Sequence, residues 1–314
     1  MMGKSLQLRD RLAEIPYRLR SPRCADALTW PLTTAELNSI RVVWPVRPQW
    51  AHAADMTRAF TLGLSRLGVL RQQSTPQAHA GIIMLTCRVR EREHRVALDY
   101  SDRHTRINQA ALSECVMYIK LQYAVEGYGD SRIIPGGYPV SGLDYYRYYR
   151  PYRERVGRNR HIDVLGRFGY TFRKELRSKA VALLASVPDL DFVGRGKKVR
   201  YSRFLREAAS ARLCLDLPGN GPFTFRVAEF LGLGSCLIAP RYATALNVAL
   251  VPNVHYVAVA DDLSDLVDKS RYYLAHDEER QTIAQAGQDY FDRYLHSDQV
   301  AAYYVRSMLD RLPS

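Results

Sequence analysis

Residues Arg212 to Pro240, RLCLDLPGNGPFTFRVAEFLGLGSCLIAP, restrict the fold more than any other stretch of the chain. A buried strand ends at Leu217, a Pro-Gly-rich loop follows, a helix starts near Thr224, and a stop at Gly234 leads into another apolar strand. A strand, a helix and a further strand in this order make one crossover of a parallel sheet. In an open sheet of that kind ligands sit outside the carboxyl ends of the strands, where loop amides and helix N-termini face an anion. Gly219, Gly221 and Thr224 occupy that place.

The alternation extends along the chain. In the first half a strand is expected over Ile40 to Pro45 and a helix over Ala53 to Leu67, stopped by Gly68. Gly81 to Thr86 and Val96 to Tyr100 read as short buried strands, with the basic run Arg88 to Arg95 between them as a solvated turn. A strand-like stretch, Val116 to Leu121, leads to the turn-rich Ile133 to Gly142. The Tyr- and Arg-rich segment Tyr145 to Arg160 breaks the pattern around Pro151 and Gly157, and is read as the connection between two lobes. A second series follows, from the strand His161 to Leu165 to a last helix, Ser297 to Leu312, long enough to run back over the first lobe. The expectation is α/β, with a first Rossmann-like lobe over residues 1–150 and a second over 151–314.

Composition narrows the functional classes. With 47% hydrophobic and 25% charged residues the chain is of the folded, water-soluble type. No segment has the roughly 20 apolar residues of a membrane span, and Arg9, Arg11, Glu14 and Arg18 stand where a signal peptide needs an apolar core, so a cytoplasmic location is expected. A weak amphipathic helix over Ser5 to Leu19 allows contact with an anionic membrane surface. The five cysteines are scattered without a Cys-x-x-Cys pair, which indicates neither a zinc knuckle nor a disulfide framework. The formal charge of +13 predicts attraction to polyanions, without selecting among nucleic acid, lipid headgroups and phosphorylated small molecules. No nucleic-acid-binding motif accompanies it.

Chemistry concentrates near the Pro-Gly loop. Glu229 lies one and a half turns into an apolar helix, and a carboxylate there is costly unless it meets a partner such as ribose hydroxyls. Arg226 carries the donor fork suited to phosphate.

The loop, the Arg-x-x-Glu helix and the small-residue turn into a strand resemble the donor-binding segment of GT-B glycosyltransferases, particularly exostosin-like families. Val259 to Gly287 resembles the C-terminal helices of the glycosyltransferase group 1 clan, and together the two stretches cover residues 161 to 312. The resemblance implies a GT-B fold of two Rossmann-like lobes with an interlobe cleft. It implies a nucleotide-sugar donor, with Glu229 on the donor ribose, and with Arg226 and the loop of Gly219, Gly221 and Thr224 beside the diphosphate or sugar. Arg167 and Lys174 match, at looser spacing, an Arg and a Lys that serve the diphosphate. Retaining members of the clan often have a further glutamate where this chain has Gly221. That departure favours inversion.

Inverting transfer needs a base in the acceptor lobe, and His52 and Asp55, in the loop after the first strand, are the candidates, with Asp99 and Asp102 as rivals. No cofactor beyond the donor substrate and no metal is expected, since Asp189-x-Asp191 precedes a strand and reads as a turn. Gly194-x-Gly196 lacks the third glycine of a dinucleotide fingerprint. The expected acceptor is a glycan, a lipid-linked molecule or a small molecule. Two alternatives stay open: a basic nucleic-acid-binding protein using Tyr145 to Arg160, and a GT-B homologue that binds a sugar nucleotide without turnover.

Overall fold

The computed structural model describes residues 27–46, 54–194 and 199–313. His52 and the Ser5 to Leu19 segment lie outside them, as do the side chain of Asp55 and residues 195–198 of the basic loop. The chain divides into two compact units, Met1–Arg147 with Arg293–Ser314, and Tyr148–Asp292. The last helix, assigned by the 150/151 division to the second half, is therefore part of the first unit.

In the first unit, helix α1 (Thr34–Ser39) starts at a capping box between Thr33 and Glu36 and runs into β1 (Ile40–Pro45). The sheet also contains β2 (Leu70–Gln73), β3 (Ile82–Val89), β4 (Arg92–Asp99), β5 (Met117–Lys120) and β6 (Ile133–Pro135), in the order β2-β1-β3-β4-β5-β6. Only β3 runs against its neighbours. Helix α2 (Ala54–Arg66) and the last helix (Ser297–Arg311) pack closely. Phe60 stacks between Trp44 and Tyr304, and Arg66 Nη1 donates to Asp298 Oδ1 at 2.9 Å.

The basic run Arg88 to Arg95 is largely exposed, but only Arg90 and Glu91 form the turn. It forms the ends of two paired strands, Val89 opposite Arg92, joined by Arg90 and Glu91 with φ of 46° and 71°. A two-residue hairpin needs positive φ, and the chain meets the need without the glycine or asparagine that usually announces it.

The segment Tyr145 to Arg160, within which the division between the two units falls, is helical around Pro151. Helix α3 (Asp144–Pro151) continues into a π-helical turn, Tyr152–Val156. Proline has no N–H to continue an α-helical ladder, and the wider turn begins immediately after it. Tyr145, Tyr146 and Tyr149 are buried, so their faces are not presented for base stacking.

The second unit has a fully parallel sheet. Its strands are β7 (Ile162–Leu165), β8 (Phe192–Val193), β9 (Ala211–Leu215), β10 (Cys236–Pro240) and β11 (Val257–Val259), in the order β11-β10-β9-β7-β8. Counted within this unit the order is 2-1-3-4-5, the doubly wound arrangement, whose switch point lies between β7 and β9. Val164, Leu213, Leu215, Ile238 and Val257 form its buried core with Ala180, Leu184 and Ile283 from the covering helices. β9 ends two residues earlier than expected, which leaves Asp216 and Leu217 in the loop at the carboxyl edge.

Candidate functional site

The switch point fixes where a ligand of the second unit belongs, outside the carboxyl ends of β7 and β9. Gly166, Arg167 and Phe168 follow β7, and Asp216, Leu217 and Pro218 follow β9. Helix α4 (Lys174–Ala185) and helix α5 (Tyr201–Ser210) begin beyond the preceding strands, and helix α6 (Phe225–Gly232) begins beyond β9. All three therefore start at this edge.

Asp216 organises the edge. Its carboxylate is fully buried and accepts from Thr224 Oγ1 at 2.7 Å, from Arg226 Nε at 2.9 Å and from Tyr242 Oη at 3.4 Å. Arg226 Nη2 also donates to Leu217 O at 3.0 Å. Thr224 precedes α6 but spends its hydroxyl on Asp216 rather than on capping the helix. Tyr242 is kept protonated, its pKa driven well above the ordinary phenol value by burial and then by the charge of Asp216.

Arg177 is the second cation of the edge, and it lies on the inward face of α4 with Ala180, Val181 and Leu184. It donates to Gly169 O at 2.5 Å and Pro218 O at 2.8 Å, tying together the loops after β7 and β9. Burial, and then Arg226, lower its pKa. The guanidinium carbons of Arg177 and Arg226 stand 5.6 and 5.2 Å from the centroid of the Phe168 ring. Both lie within cation–π reach of the Phe168 ring. A Cβ on Gly219 would stand 3.4 Å from Arg177 Nη2, and Gly219 N donates to Gly221 O at 3.0 Å, which closes the loop tightly.

Glu229 is buried, 2% exposed, and accepts from Tyr201 Oη at 2.6 Å. Tyr201 opens its helix, which sets this carboxylate close to the carboxyl edge. Arg226, Glu229, Thr224, Gly219 and Gly221 thus belong to one loop and helix. Arg167 follows β7 but is bound to Glu207, Nε to Oε2 at 2.5 Å and Nη2 to Oε1 at 3.0 Å. Lys174 opens α4 as an exposed residue, one turn before Arg177.

In the first unit Asp99 ends β4, where it accepts from Tyr118 Oη at 2.6 Å, Lys120 Nζ at 2.8 Å and Ser101 N at 2.9 Å. Asp99 and Lys120 are both buried. Asp102 is half-buried nearby in the sequence, and Asp55 lies in the first turn of α2.

Sequence reasoning missed Asp216, Arg177, Phe168, Tyr201 and Tyr242. Arg177 had a legible signal, a cation in register with the apolar positions of its helix.

A family model described as Glycosyl transferase-like matches residues 150–306, half of the chain. The chain belongs to that family. Over 55 residues the chain is 46% identical to Protein O-glucosyltransferase 2 of Danio rerio, a stretch that makes up 18% of this chain and 11% of that protein. Two solved structures are similar at low identity. One is Anabaena Alr3699/HepE in complex with UDP and glucose, with 12% identity, TM-score 0.42, and coverage of 68% of this chain and 70% of that one. The other is a putative UDP-N-acetylglucosamine 2-epimerase from Listeria monocytogenes, with 14% identity, TM-score 0.35, and coverage of 64% and 60%. Among the described residues no helix is long and apolar enough to cross a membrane.

Proposed function

We propose that this glycosyl transferase-like chain is a GT-B glycosyltransferase whose second unit binds a nucleoside-diphosphate sugar at the switch between β7 and β9. The observation that carries the reading is the convergence of Arg177, Arg226 and the Gly219 to Thr224 loop at that edge, with the buried Glu229 one turn farther along the same helix. Glu229, held by Tyr201, is a desolvated acceptor suited to ribose hydroxyls. Arg226 keeps N–H groups beyond those bonded to Asp216 and Leu217 and faces the diphosphate.

Transfer then follows from placement of charge. As the glycosyl bond breaks, negative charge grows on the leaving diphosphate, and cations fixed beforehand stabilise it most at that moment. Asp216 and Phe168 hold Arg226 in position, so little reorganisation is needed. Residues of the first unit supply the acceptor side, with His52 as the base and inversion as the stereochemical outcome. The acceptor is a hydroxyl of a glycan, a lipid-linked molecule or a small molecule, and no metal is required by this scheme. The test is a thermal-shift and calorimetric screen against UDP, GDP, CMP and dTDP sugars with the chain and its Glu229→Gln variant. Stabilisation by one nucleotide class, weakened in the variant, supports the reading. An unaltered melting temperature with every donor refutes it.

A further inference from the structure

The opposite edge of the same sheet carries a second concentration of charge. A cavity of about 540 Å³ opens at the amino ends of β7, β9 and β10, lined by Arg153, Arg158, Arg160, Arg212 and Arg280 with a single carboxylate, Asp277. Amide side chains of the helix Asp277–Tyr290 complete its wall.

The charges of this cavity do not balance. Arg153 is matched by Asp292 at 2.7 Å, Arg212 by Asp163 at 3.3 Å, and Arg280 by Asp277. Arg158 and Arg160 take part in no ion pair among the described residues. Arg160 is held only by neutral acceptors, the carbonyls of Ala209, Ala211, Leu233 and Gly234 and the hydroxyl of Ser235, between 2.7 and 3.3 Å. Burial, and then the neighbouring Arg280, push its pKa below the ordinary guanidinium value. The five contacts use the terminal N–H groups of Arg160, so it contributes a fixed positive charge to the cavity, and Arg158 and Arg212 are the side chains with donors to turn towards an anion from outside the chain.

The backbone maintains the opening. Gly234 at the rim has φ of +67°, a conformation in which any side chain would be strained. The volume far exceeds one phosphate and falls within the range of small-molecule sites.

We propose that this cavity is a second anion site, one that takes a small molecule bearing two or more linked phosphates, separate from the donor edge of the sheet. The guanidinium groups of Arg158 and Arg212 bind its oxygens beside the fixed charge of Arg160, and the wall amides serve the rest of the molecule. The site rests on its own residues and stands whether or not the carboxyl edge binds a sugar nucleotide.

The probes are inorganic tripolyphosphate and citrate, titrated by calorimetry into the full chain. Three proteins are compared: the native chain, Arg158→Glu/Arg212→Glu, and Lys179→Glu/Arg271→Glu, which makes the same change in net charge elsewhere on this unit. Thermal melting verifies that each variant is folded. The expected result is tripolyphosphate binding to the native chain and the control, weakened at least tenfold in the Arg158/Arg212 variant, with citrate at least tenfold weaker than tripolyphosphate. Absence of binding to the native chain overturns the proposal. So does an affinity unchanged in the Arg158/Arg212 variant, an equal loss in the control, or equal binding of citrate.

Discussion

Arg226 and Asp216 form a partly buried ion pair, Nε to Oδ1 at 2.9 Å, in which the carboxylate is fully enclosed and the guanidinium 17% exposed. The pair joins the loop just after a strand to the first turn of the next helix, so a structural requirement and a proposed binding function share one arginine. Removing the carboxylate leaves a cation among apolar groups. Asp216→Ala is expected to lower stability by about 3 kcal/mol, the scale for breaking a buried pair from one side. Urea unfolding followed by circular dichroism measures it, and a loss below about 1 kcal/mol would show that water enters and compensates.

Arg226→Ala addresses the other partner. If the guanidinium stabilises charge that develops on the leaving diphosphate, turnover falls more than donor affinity. Glu229→Ala is expected to do the reverse, weakening nucleotide binding by about 1 to 3 kcal/mol with the fold intact. Tyr201→Phe, which removes the hydrogen bond that orients Glu229, is expected to weaken binding less than Glu229→Ala. Calorimetry with the nucleoside diphosphate, set beside steady-state rates, separates these effects. A loss of affinity with turnover unchanged would make Arg226 a binding residue only.

The strand and helix order of the second unit was legible because its strands are nearly all apolar and its helices carry clear stops, as at Gly234 before β10. β2 was not, since Leu70–Gln73 alternates polar residues on an edge strand and provides little apolar signal. The hairpin at Arg90 and Glu91 was missed because neither residue type announces positive φ. At the site, Arg226 and Glu229 could be singled out by their position on an apolar helix. Asp216 could not, because it was taken as the interior of a longer strand, and partners drawn both from the start of the next helix and from Tyr242 are set by tertiary packing. Arg167 and Lys174 were chosen by their place after a strand, whereas burial separates them from Arg177, whose carbonyl contacts come from two loops distant in sequence.

Gly63 is the close-contact point between α2 and the last helix. A Cβ there would lie 2.0 Å from Ser297 O and 2.6 Å from Ala301 Cβ. Neither neighbour is the flexible end of a long side chain. Gly63→Ala is therefore expected to destabilise the first unit by about 1 to 3 kcal/mol through overpacking, despite the gain in helix propensity. A neutral or raised melting temperature would mean that the two helices separate freely.

Glu36 is one source of pH dependence in the first unit. Glu36 has its pKa lowered to about 2 by the Thr33 amide, then by Arg306 and the Thr33 hydroxyl. A carboxyl group with a depressed folded pKa stabilises the native state fully above its unfolded value, here about 4.5, and loses that contribution as pH falls towards 2. The native chain should melt higher than Glu36→Gln at neutral pH, with the difference shrinking across that window. A difference constant between pH 5 and pH 2 would remove Glu36 as its source.

The remaining prediction concerns the base. Of the candidates in the first unit, Asp99 is already engaged: one oxygen accepts from both Tyr118 and Lys120 and the other accepts from the Ser101 amide, in a site where Lys120 is fully buried. A base must be able to take a proton from the acceptor hydroxyl, and a carboxylate held by an ammonium and a phenol is poorly placed to do so. Its removal instead strands the Lys120 cation. Asp99→Ala is therefore expected to lower stability by about 3 kcal/mol or more, with activity lost only in proportion to unfolding. Histidine is the side chain whose ordinary pKa lies near neutrality, so if His52 is the base, His52→Ala is expected to abolish transfer while sparing donor affinity and melting temperature, with Asp55→Ala milder. The two variants should thus separate in opposite directions on paired measurements of melting temperature and turnover. Full transfer by the His52 variant would move the role to Asp55 or Asp102, and a folded but inactive Asp99→Asn protein would return it to Asp99.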